Sequence, residues 1–233
     1  MLVGHYGVSF AAKAADKRLP LWLLFMAVQW LDVVWSGLVM LGIEKMRVVP
    51  AFTESNGMDL YYMPYTHGLA GALALAVAMG ALVAIFVRDR KAAAFAAIAG
   101  AVFSHWLLDL VVHVRDLPLW GDSFKVGFGL WRHRWISFPL EITILVLGAA
   151  IYVRAVPSRT EHGDRWLWSF VAAMTAVQVY ANFGPDAASP LAQAQLALSA
   201  YLLLAGLAAL VDRARGTAGT LPKNAPVHLR TAP

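Results

Sequence analysis

The stretch SHWLLDLVVHVRD, Ser104 to Asp116, carries His105, Asp109 and His113 at intervals of four near the end of a long apolar run. On a helix, residues four apart share a face with Cβ atoms about 5–6 Å apart, so His105 and Asp109 can grip one ion. Imidazole with carboxylate suits zinc, manganese or iron. His113 extends the stripe, rotated by about 40° because the helical period is 3.6 residues. It reads first as a residue that hydrogen-bonds a neighbouring helix. Four more ionisable residues stand in apolar surroundings: His5 in LVGHYGVSF, Asp32 in QWLDVVW, His67 in MPYTHGLAGAL and Glu141 in WISFPLEI. A charge at mid-membrane costs about 2.5–3.5 kcal/mol even on lenient insertion scales, so each needs a partner or a purpose.

That setting comes from composition. The chain has 233 residues, 60% of them hydrophobic and 14% charged, with a mean hydropathy of +0.61. Soluble domains carry about 25% charged residues, so a membrane protein is expected. The net charge of +5 does not point to nucleic acid, because the basic residues sit in short clusters between apolar segments. There are no cysteines, which excludes disulfides and thiolate ligands and leaves His and carboxylates for any transition metal.

About 20 apolar residues cross a bilayer. Six stretches are that long or nearly so: roughly 19–43, 68–87, 92–114, 135–153, 166–183 and 191–211. The expected fold is an all-α polytopic membrane bundle of about six transmembrane helices with a short or re-entrant N-terminal helix. It forms one membrane-embedded domain over 1–211, followed by a disordered cytoplasmic tail over 212–233. Of 19 Lys and Arg, six (Lys45, Arg47, Arg115, Lys125, Arg132 and Arg134) fall on one side and the other 13 on the side of the N-terminus. Both termini are therefore expected inside, in the inner (plasma) membrane.

The helical rise then sets depth. Asp32 and His105 each lie 13 residues into a span that starts at the inner face, about 20 Å up at 1.5 Å per residue. Glu141 lies six residues into a span descending from outside, about 9 Å down, and His67 opens a span on that same side. His5 joins them if Val3–Ala15 is a half-helix dipping into the membrane, about 18 Å above the inner face. Gly4, Gly7, Ala11, Ala12, Ala14 and Ala15 would allow such a segment to pack closely. His5, Asp32, His67, His105 and Asp109 then suffice for one metal ion with an open position, or for two sharing a carboxylate. An open position lets an ion turn water into a nucleophile near neutral pH. Glu141 suits a general base or an outer ligand, and with Asp109 it forms the candidate catalytic pair.

At these residues the chain resembles the YdjM-like family of inner-membrane metal-dependent hydrolases. The family's N-terminal THxxxG-type His falls on His5, in GHYGVSFAAK. Its PDxD motif ends on Asp32, the His of HRGxTHS falls on His67, and HxxxD falls on His105 and Asp109. The match covers roughly residues 1–114. It departs where PDxD reads QWLD, with Trp30 at an acidic position, and where HRGxTHS has Tyr62 and Gly68 at its first and last positions. Those departures remove potential ligands and favour a single metal. The resemblance implies a divalent metal, zinc before manganese, and a hydrolytic reaction, without specifying the substrate.

From position, a phosphoester or lipid-linked substrate presented from the outer half of the membrane is expected, with membrane lipids as partners. A carrier that moves ions or protons through the His and Asp groups is the first alternative. A non-catalytic protein stapled by the same cluster is the second. The run WRHRW, Trp131–Trp135, reads as an interfacial anchor, and residues 53–68 as an outer loop over the site, with Glu54 and Asp59 as surface charges.

Overall fold

In a computed structural model, which describes residues 1–217, the chain folds into eight α-helices and one hairpin. These are α1 (Val3–Ala15), α2 (Leu21–Val28), α3 (Trp30–Met40), β1 (Lys45–Val48), β2 (Met58–Tyr62), α4 (Leu69–Ile85), α5 (Lys91–Val112), α6 (Arg134–Ala155), α7 (Gly163–Phe183) and α8 (Pro190–Ala214). Among the described residues three helices, α5, α6 and α8, are long and apolar enough to cross a membrane, or four spans if bent α2 and α3 count as one. That is fewer than the six expected. The first expected span breaks at Gln29 with a 55° bend, and α4 has only 17 residues. Helix α7 has 21 residues, but Asp164, Arg165, Gln178 and Asn182 interrupt it. The outward faces are nonetheless oily: Leu203 on α8 is 63% exposed and Ile85 on α4 is 69% exposed.

The expected N-terminal half-helix forms over Val3–Ala15, and glycine sets where it packs. A Cβ built on Gly7 would lie 2.2 Å from the Ile144 carbonyl oxygen, and one on Gly148 would lie 2.1 Å from that of Gly7. No side chain fits at either point, so α1 and α6 meet backbone to backbone. At the other end of α1, Lys13 is buried and donates to Asp212 (3.2 Å) and to the carbonyls of Lys17, Leu19 and Thr217. Lys13 therefore ties helices together instead of joining an inner basic surface. Asp212 also accepts from the Leu21 amide, and buried Arg215 bonds Asp164 and the Val156 carbonyl. The tail expected from Asp212 accordingly starts inside the fold, with α8 running to Ala214. Its remainder, 218–233, lies outside the described residues.

The segment expected as an outer loop holds β2, which pairs antiparallel with β1, Arg47 opposite Asp59. Met46 and Leu60 point inward from this hairpin into an apolar cluster with Trp35, Met63, Trp131 and Tyr201. A larger cluster built on Phe10, Leu24, Phe25, Leu145 and Tyr152 fills the other part of the bundle, inner in the sense of lying farther from the hairpin. On α3, Leu31 belongs to the inner cluster and Trp35 to the outer one, with Asp32 between them. On α5 the same division runs between Trp106 and Val112, with Asp109 between. The polar residues thus occupy the seam between two cores.

Packing at the Gly7–Gly148 contact sets the height of His5. Gly148→Leu is expected to cost about 1–3 kcal/mol of stability by overpacking, whereas Gly206→Leu, where an added Cβ meets nothing within 4 Å, should leave it unchanged. Thermal unfolding of the two variants in one detergent checks this.

Candidate metal centre

His105 and Asp109 project from α5 one turn apart, and the break at Gln29 brings α3 to them. In an unbroken helix the Val28 carbonyl would be spent four residues on. At the bend it instead faces His105, whose Nδ1 lies 2.7 Å from Val28 O. A carbonyl only accepts, so Nδ1 carries the hydrogen, and in the neutral ring Nε2 keeps its lone pair. Asp32 in the first turn of α3 is held by the Tyr201 hydroxyl at 2.8 Å.

His67 precedes α4 in a tight turn, where Cβ atoms at Gly68 and Gly71 would lie 2.4 and 2.1 Å from the carbonyl oxygens of Pro64 and Tyr65. Glycine at position 68 is therefore demanded by the turn. Glu44, just before β1, accepts from the amides of Tyr65 and Thr66 at 2.8 and 2.9 Å. It also accepts from the Thr66 hydroxyl at 2.6 Å. With its proton committed to Glu44, Thr66 Oγ1 accepts from His67 Nδ1 at 2.8 Å. His67 Nε2 is again a lone pair.

His113 does not continue the helix. It is the C-cap of α5 with an extended backbone (φ −61°, ψ 146°), and its ring turns back toward Asp109. Its Nδ1 donates to Asp116 Oδ1 at 2.9 Å, and its ring packs on Trp131 with centroids 4.2 Å apart. Trp131, read from sequence as an interfacial anchor, is thus a buried wall of the site.

In their neutral form three imidazoles present Nε2 lone pairs to two carboxylates. His105 Nε2 is 2.9 Å from Asp109 Oδ2 and 3.6 Å from Asp32 Oδ1. His67 Nε2 is 3.2 Å from Asp32 Oδ1 and 3.6 Å from Asp109 Oδ2. His113 Nε2 is 3.5 Å from Asp109 Oδ2. Zinc bonds to N and O of about 2.0–2.1 Å set tetrahedral ligand separations of about 3.3 Å, so these spacings are those of a ligand shell. His105 Nε2 is buried and makes no well-aligned hydrogen bond although Asp109 Oδ2 lies 2.9 Å away, a spacing that a shared cation would bridge.

On the other side of Asp109, Oδ1 is 3.2 Å from His5 Nε2 and 2.5 Å from the amino nitrogen of Met1. The His5 ring stacks on His105 with centroids 3.8 Å apart and planes 7° from parallel. Two triplets could hold a metal ion: His5, His105 and Asp109, and Asp32, His67 and His105. Both need His105 Nε2, and one lone pair binds one ion, so the two cannot be filled independently.

All five sequence-derived ligand candidates, His5, Asp32, His67, His105 and Asp109, converge here. Glu141 stands apart from both triplets. Its Oε2 accepts from the amides of Leu2 (2.6 Å) and Gly4 (3.3 Å), capping α1. Sequence reasoning missed the residues that orient the ligands: Glu44, Thr66, Asp116 and the Val28 carbonyl. It also placed His113 outside the set.

No family model, curated protein or solved structure matches the chain. The reading of the centre rests on its geometry.

Groups that fix a ligand's tautomer typically matter about 10–100-fold to metal affinity. Thr66→Val should weaken metal binding by that factor and Thr66→Ser should restore it. Competition against a chelator of known strength measures both.

Proposed function

We propose that this chain is an integral membrane hydrolase of the inner membrane. It would use a divalent ion, zinc first and manganese second, held by Asp32, His67, His105 and Asp109, with His113 and His5 adjoining. The observation that carries this reading is the set of three imidazoles, each tied at Nδ1 to an acceptor, whose free Nε2 atoms meet two carboxylates. With neutral rings and no metal ion that arrangement sets acceptor against acceptor in a buried place, so the two carboxylates call for a cation, either a metal ion or protons on the imidazoles. Resemblance to the YdjM-like hydrolases supports the same reading.

When bound, such an ion lowers the pKa of coordinated water toward neutrality. This chain's residues do the rest. Asp32, His67, Asp109 and His113 line a cavity of about 270 Å³, so one face of the ligand set is open to a substrate. Glu141 lines the same cavity and keeps Oε1 free of the capping bonds made by Oε2, which suits it to take a proton. A lipid-linked substrate would reach this cavity in the outer half of the membrane, with both termini cytoplasmic.

A carrier is less well supported. The packed layer of Phe10, Leu24, Phe25, Leu145 and Tyr152 closes the bundle below the site. The staple reading draws on the Met1 amino nitrogen at Asp109, because an ammonium can balance that carboxylate in place of a metal.

Elemental analysis of freshly purified protein is expected to find close to one zinc or manganese per chain. His105→Ala should lose it, and Asp109→Ala should lose hydrolysis while the helical circular dichroism persists. Metal-free wild type, with Asp109→Ala unfolding in detergent, is the result the staple reading expects.

A further inference from the structure

The cavity wall carries information about charge. Carboxylates of Asp32, Asp109, Glu141 and Asp186 line it, and no Lys or Arg does so among the described residues. A divalent ion together with the Met1 ammonium, which also lines the cavity, still falls short of the four carboxylates, so nothing is left to balance an incoming phosphate. A helix N-terminus can take that role, and α1 presents one at the cavity. Its first amides are already committed, those of Leu2 and Gly4 to Glu141 and that of Val3 to Gln178 Oε1. Gln178 in turn donates to Asn182, and Asn182 to the Ser55 carbonyl.

One fully buried donor on the cavity wall is left over. The indole nitrogen of Trp35 is buried without any hydrogen-bond partner, and Trp35 lines the cavity. It sits three residues after Asp32, on the same face of α3. A single uncharged N–H satisfies one carbonyl oxygen. It does not satisfy the several oxygens of a phosphate, which call for charged or multiple donors.

Part of the remaining wall, between α7 and α8, is apolar. Val177 on α7 and Ala197 and Ala200 on α8 form it, and Leu196 and Tyr180 at its rim are 52% and 57% exposed. A hydrocarbon chain lying between α7 and α8 would cover that rim.

We propose that the cavity takes an uncharged acyl compound, a carboxylic ester or amide of a hydrocarbon chain, with its carbonyl oxygen on Trp35 Nε1. The choice of this substrate class rests on the hydrolase reading above. In the reaction, water oxygen bonds to the carbonyl carbon and one water proton passes to Glu141 Oε1. The acyl C–O or C–N bond then breaks, and the proton ends on the departing alkoxide or amine. The products are a carboxylic acid and an alcohol or amine, with no redox change.

The test is calorimetric binding of dodecanamide and of dodecyl phosphate to zinc-loaded protein in nanodiscs. Ala197→Trp, which fills the cavity, measures partition into lipid. Dodecanamide is expected to bind about 100-fold more tightly than dodecyl phosphate, since an unbalanced like charge costs several kcal/mol. Trp35→Phe keeps the ring and removes the donor, and should weaken dodecanamide by up to about tenfold while leaving dodecyl phosphate unchanged. Phosphate binding as tightly as the amide, neither probe distinguishing wild type from Ala197→Trp, or Trp35→Phe having no effect would each overturn the proposal. Turnover of 4-nitrophenyl dodecanoate by the same samples reads the hydrolase assignment separately. Selective amide binding without turnover would support the ligand class and remove the hydrolytic step. Cleavage of a phosphoester without amide binding would keep a hydrolase and overturn the acyl class.

Discussion

The architecture depends on where three protons are held. Val28 O, the Thr66 hydroxyl and Asp116 each engage the Nδ1 of one histidine, and every Nε2 lone pair is thereby turned toward Asp109 and Asp32. Were the hydrogens on Nε2 instead, the same side chains would donate to the carboxylates and their Nε2 atoms would be lost to a metal ion. Fixing the tautomer from behind converts a set of polar residues into a ligand set.

Each of those anchors comes from a local departure from regular structure. The bend at Gln29 frees the Val28 carbonyl. The turn around Gly68 and Gly71, closed too tightly for any side chain, lets Glu44 hold Thr66 and Thr66 hold His67. The end of α5 at Val112 lets His113 swing back instead of following the helix outward. Regular helices would have kept these groups satisfied within their own segments. Helix α1 adds His5 from a different direction, pinned by the Gly7–Gly148 approach, by the Glu141 cap and by Lys13 on Asp212.

Much of the ligand set was legible in the sequence because it follows from two numbers, the 3.6-residue period and the 1.5 Å rise. The pair His105 and Asp109, and the matching heights of Asp32 and His5, needed nothing more. What lay hidden depended on the chain leaving a helix. His113 was placed on a stripe that ends one residue before it, and the bond from His105 to Val28 O arises at a bend no periodicity announces. Glu44 and Thr66 are 22 residues apart, joined by hydrogen bonds across a hairpin. The count of spans was overdrawn because hydropathy sees apolar length and not a break or an interruption: α4 falls short at 17 residues, polar residues interrupt α7, and α2 with α3 makes one span only across a 55° bend. The tail was begun too early because Asp212 looked like the first polar residue outside the membrane, whereas it is the buried partner of Lys13.

The account stands or falls on a cation at the meeting point of His67, His105, Asp32 and Asp109. X-ray absorption at the zinc edge of the metal-loaded protein addresses that atom directly. The account predicts four or five N and O neighbours at about 2.0–2.1 Å, with the outer-shell scattering of at least two imidazole rings that diminishes in His67→Ala. An all-oxygen shell without imidazole scattering, or a spectrum that His67→Ala leaves unchanged, would contradict it.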